Sequence, residues 1–127
     1  NNFVKDVLFS QYLEVYDPEA WRPNINIHTL CGVLKELAEK NAFENILNIG
    51  YNVLNTTKQE LILKMVTRNK LDFTVKYYSP DDSRSYKVDF SRMEELIDLE
   101  PIQYVDGIDQ LVNTFKDIVK EQNQDDE

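Results

Sequence analysis

Residues 70–90 alternate apolar and polar side chains twice, with a turn cluster between the two runs. Leu71, Phe73, Val75 and Tyr77 form the first apolar row and Tyr86, Val88 and Phe90 the second, on either side of Pro80-Asp81-Asp82-Ser83. Period-two alternation broken by turn-forming residues predicts a β-hairpin with one buried face. Any fold for this chain must therefore supply a surface to cover that face.

The covering elements are helical. Residues 3–16 carry two apolar stripes, Val4, Val7, Leu8, Tyr12 and Val15 on one and Phe9, Leu13 and Tyr16 on the other, and are expected to form one helix. Pro18 and Pro23 then break the chain, with Trp21 between them as a large apolar plug. Residues 27–40 predict a second helix, with Leu30, Val33, Leu34, Leu37 and Ala38 facing one side. After the hairpin, Ser91 caps a short helix that stops before Pro101, and residues 106–120 keep helical spacing through Ile108, Leu111, Val112, Phe115, Ile118 and Val119.

Residues 46–67 support two readings. Leu47, Ile49, Tyr51 and Val53 alternate as in a strand, while Thr56 with Gln59, or Thr57 with Glu60, could box the start of a helix. Two strands here give an α+β fold with N-terminal helices, an antiparallel meander of about four strands and two C-terminal helices, the favoured expectation. Two helices give a winged helix, three helices plus the hairpin, with residues 57–68 in the recognition position. The first order resembles that of RWD-type interaction domains, and Tyr78-Ser79-Pro80 falls near the Tyr-Pro turn of that family. The inserted Ser79 departs from its pattern.

At 127 residues the chain is expected to be a single domain, 1–127, with a helical arm and Pro-rich connection over 1–23, a body over 24–122 and a frayed acidic tail over 123–127. Its net charge of −9 is uneven: residues 1–57 sum to −3, 58–92 to +3 and 93–127 to −9. Such a surface repels phosphate backbones and lipid headgroups, so nucleic acid is an unlikely partner and a membrane is not expected. Lys64 and Arg68 would have to form the basic face of a winged helix, beside a wing tip carrying Asp81 and Asp82. One cysteine, no leader and no long apolar run lead to the expectation of an intracellular, cytoplasmic protein.

Catalytic clusters are not apparent. His28 and Cys31 are the lone members of their types, too few for a zinc site, and Cys31 beside Leu30 is read as a small core residue. Pro80-Asp81 lacks the second acid of a nuclease signature, and Gly32, Gly50 and Gly107 are too scattered to cradle a phosphate. No enzyme activity, metal or cofactor is expected. The chain is read as a non-catalytic protein-binding module, such as an inhibitor, immunity factor or assembly adaptor, whose partner is a basic protein or a homodimer mate. Phe9, Leu13, Tyr16 and Trp21 are the expected partner-binding residues, because the second stripe of the first helix needs a surface to cover it.

Overall fold

A computed structural model describes residues 2–42, 46–79 and 84–124, with side chains described through residue 118. The fold is mixed α+β, and its elements follow the order α1 (Asn2–Ser10), β1 (Tyr12–Tyr16), β2 (Trp21–Pro23), α2 (Ile27–Glu39), a 3-10 turn (Asn52–Leu54), β3 (Asn55–Thr57), α3 (Lys58–Asn69), β4 (Thr74–Tyr78), α4 (Ser91–Glu94) and α5 (Tyr104–Gln124).

The expected helix over 3–16 is two elements. α1 buries Val4 and Val7 and stops where Gln11 takes a left-handed φ of 50°. Tyr12-Leu-Glu-Val-Tyr16 then runs as a strand, because Leu13 and Val15 can be buried together only if their side chains share one face of an extended chain. The second helical stripe is thereby divided: Phe9 stays on α1, while Leu13 and Tyr16 fall on opposite faces of the strand, one buried and the other exposed. The segment read as an arm thus sits in the main core, where Val4, Val7, Leu13 and Val15 pack with Ile62, Met65, Ile108 and Val112.

Sheet pairing also departs from the meander and from the winged helix. β4, the first run of the expected hairpin, pairs in parallel with β1, from Tyr12 opposite Thr74 to Tyr16 opposite Tyr78. β2 pairs antiparallel with β3, from Trp21 opposite Thr57 to Pro23 opposite Asn55. The expected tip at 80–83 lies outside the described residues. The second run, 84–90, makes no strand; side chains hold its backbone instead. Asn55 Oδ1 accepts from Val88 N at 3.1 Å while Asn55 Nδ2 donates to Val88 O at 3.0 Å, and Asn52 Oδ1 accepts from Phe90 N at 3.1 Å. These asparagines substitute for a neighbouring strand.

Residues 58–69 are helix. Thr57 Oγ1 accepts from Glu60 N at 3.1 Å and Glu60 Oε2 accepts from Thr57 N at 3.0 Å, a complete capping box. α2 begins as expected, with Asn26 Oδ1 accepting from His28 N at 2.9 Å. Cys31 is exposed on this helix, which corrects its reading as a core residue. A second core, of Val33, Leu37, Tyr51, Leu54, Met93 and Ile97, joins α2 to the 3-10 turn and α4. No described helix is long and apolar enough to cross a membrane.

Candidate functional site

β2 and the chain leaving it define the site. Pairing with β3 fixes the backbone of Trp21 and Arg22, and segment 84–88 closes on them from the other side. Trp21 N donates to Ser85 Oγ at 3.1 Å, and Tyr86 N donates to Trp21 O at 3.3 Å. Between these strands of chain, rings and cations interleave. The Arg22 guanidinium lies 5.2 Å from the centroid of the Tyr86 ring and donates through Nη1 to Trp21 O at 2.7 Å, and the Lys87 ammonium lies 3.5 Å from the Trp21 ring.

Arg22 also lines a cleft of about 900 Å³, the larger of the two cavities described. Its walls combine apolar groups such as Phe3, Leu61 and Tyr104 with Asn24 from the β2–α2 connection and Lys58 from α3. Lys58 Nζ donates to Tyr16 O, which leaves the rest of its ammonium for the cleft. Among the described residues, no carboxylate lies within 4.0 Å of Arg22, Lys58, Arg84 or Lys87; the ion pairs join Lys35, Lys40 and Arg68 to acids elsewhere. An apolar cleft with a few converging polar groups is the usual form of a small-molecule site.

The four residues expected to bind a partner are not brought together. Leu13 is 1% exposed and belongs to the core. Phe9 packs edge-on against Phe115 of α5 with centroids 6.3 Å apart, Tyr16 stands on the outer face of β1, and Trp21 lies beneath Lys87. The expected basic face of α3 is engaged as well: Lys64 sits 4.4 Å from the Tyr104 ring, and Arg68 pairs with Asp106 and Asp109. Among the described residues no group of three or more His, Cys, Asp or Glu side chains could hold a metal ion. Arg22 was missed in the sequence because it stands alone among prolines and asparagines. The signal present was the positive sum over 58–92, which contains Lys58, Arg84 and Lys87.

No family model matches the sequence, and no curated protein matches it. Solved structures do. The chain superposes with a TM-score of 0.74 at 19% identity on dTDP-glucose 4,6-dehydratase from Bacillus anthracis, solved with NAD, over 91% of its own length and 38% of that chain. It superposes with a TM-score of 0.68 at 14% identity on RMD from Pseudomonas aeruginosa, solved with NADPH, over 86% of its own length and 37% of that chain. It therefore shares the fold of a portion of each, and spans less than two fifths of their length.

The dinucleotides of those two structures do not fit the residues present here. A dinucleotide-binding turn needs closely spaced glycines between a strand and a helix. In this chain Gly32 lies inside α2 against Leu99, Gly50 packs on Phe90, and Gly107 lies inside α5.

Proposed function

We propose that this chain is a substrate-recognition module of a nucleotide-sugar-modifying protein, and that it holds the nucleoside diphosphate portion of the substrate at Arg22. The reading has two supports: the fold shared with part of a dTDP-glucose dehydratase, and the chemistry of the cleft. The observation that carries it is Arg22, which lines the cleft beside the Tyr86 ring with no carboxylate of the described residues within 4.0 Å of it. A guanidinium forks onto phosphate oxygens, Lys58 adds a point charge, and the apolar wall with Phe3 offers a surface for a base. The module works by binding. Any hydride transfer belongs to a dinucleotide-binding region of the kind this chain's glycines cannot form.

Isothermal titration with dTDP-glucose and, separately, with NAD tests this. dTDP-glucose should bind, with affinity falling roughly tenfold or more in Arg22→Gln, as expected for a lost charge-assisted contact. Binding of NAD with none of dTDP-glucose would overturn it.

A further inference from the structure

The outer face of the β1/β4 ribbon lies apart from that cleft and is built differently. Parallel register sets Tyr12, Glu14 and Tyr16 beside Thr74, Lys76 and Tyr78, while Leu13 and Val15 face the core. Three phenols converge on one carboxylate: Tyr12 and Tyr78 donate to Glu14 Oε1 at 3.2 and 3.0 Å, and Tyr16 donates to Oε2 at 3.5 Å. The Tyr16 and Tyr78 rings stack, with centroids 4.7 Å apart and planes 12° apart. Tyr16 remains 52% exposed and Tyr12 39%.

We propose that this face docks an arginine side chain presented by a basic protein segment. Lys76 stands directly opposite Glu14 in the register, yet its ammonium lies 4.8 Å from the Tyr78 ring. Among the described residues no cation lies within 4.0 Å of the Glu14 carboxylate. The face thus presents a carboxylate without an ion-pair partner among electron-rich rings, and already draws one ammonium onto a ring. A guanidinium suits both features, since it stacks on a ring and can donate a charge-assisted hydrogen bond to the lone pair that Glu14 Oε2 keeps open. Carbohydrate suits the face less well, because all three phenol hydroxyls are committed to Glu14. Burial and then the hydrogen bond to Glu14 raise the pKa of the Tyr12 phenol, and the Glu14 charge and then burial raise that of Tyr16, so both stay protonated as donors. Asp17 and Glu19 follow β1, and the chain carries −9 overall, which complements a basic segment and speeds its encounter.

The test is an NMR titration of the full chain with a short peptide alternating glycine and arginine, alongside maltotriose. The peptide should move the ring signals of Tyr12, Tyr16 and Tyr78. Its affinity should fall about tenfold in Glu14→Gln and in Tyr16→Ala, and stay unchanged in Glu39→Gln, which removes the same charge from the exposed face of α2. Equal losses in the two carboxylate variants would reduce the effect to diffuse attraction and overturn the proposal. So would ring signals that stay fixed with the peptide, or that respond to maltotriose alone.

Discussion

A β-carbon built on Gly50 would stand 2.5 Å from Cζ of Phe90 and 2.6 Å from its Cε1. Phe90 is 5% exposed, so its ring cannot swing aside without opening the packing around it. Gly50→Ala should therefore destabilise the fold by about 1–3 kcal/mol, the usual cost of overpacking. Urea denaturation measures this, and a midpoint equal to wild type would show that the close approach is not maintained.

Leu13 and Tyr16 are three residues apart on β1 and should respond unequally to truncation. Leu13→Ala removes a side chain buried in the main core and should cost about 2–5 kcal/mol. Tyr16→Ala removes an exposed ring stacked on Tyr78 and should cost less than about 1.5 kcal/mol. Similar losses in the two variants would contradict the strand and restore the single helix expected over 3–16.

How far the sequence reveals the fold depends on how local each determinant is. α2 and α5 are legible because their periodicity and caps lie within one stretch of chain. The capping box of α3 is also visible, but Leu61, Leu63 and Met65 alternate as on one face of a strand, and only packing of Ile62 and Met65 into the main core decides for helix. The β1/β4 pairing is not legible, since Tyr12 and Thr74 are distant in sequence while residues 84–90 offer β4 an alternating partner directly after it. The backbone of that second run is instead satisfied by Asn52 and Asn55, a residue type with low propensity for helix and strand alike. The cleft has the same origin. Arg22, Lys58 and Phe3 come from three separate elements, and no spacing rule links them.

Buried methyl groups should outweigh ion pairs in holding α5. Val112 is fully buried, and Val112→Ala should cost about 2 kcal/mol. Arg68 reaches Asp106 at 2.8 Å and Asp109 at 2.7 Å, but the Arg68 and Asp106 side chains are half exposed, so Arg68→Ala should cost about 1 kcal/mol or less, and less again in high salt. Thermal denaturation of the two variants at low and high salt orders the effects.

Glu60 should contribute an acid-sensitive increment of stability. The Thr56 hydroxyl, followed by the Thr57 backbone N–H, holds its carboxyl below the ordinary value of 4.5. A depressed folded-state pKa favours the folded protein above the unfolded value, and that contribution fades as pH falls through the folded one. The stability advantage of wild type over Glu60→Gln should thus be full at neutral pH and shrink below about pH 4. An advantage that stays constant down to that pH would place its origin outside this ionisation.

Mapping backbone amide shifts while dTDP-glucose is added tests the recognition role most directly. The account predicts that the amides of Trp21, Arg22, Asn24, Lys58 and Tyr86 move together in a saturable way, and that Arg22→Gln abolishes the response. Shifts confined to the Tyr12–Tyr16 strand, or no saturable shift at the Arg22 cleft, would contradict it.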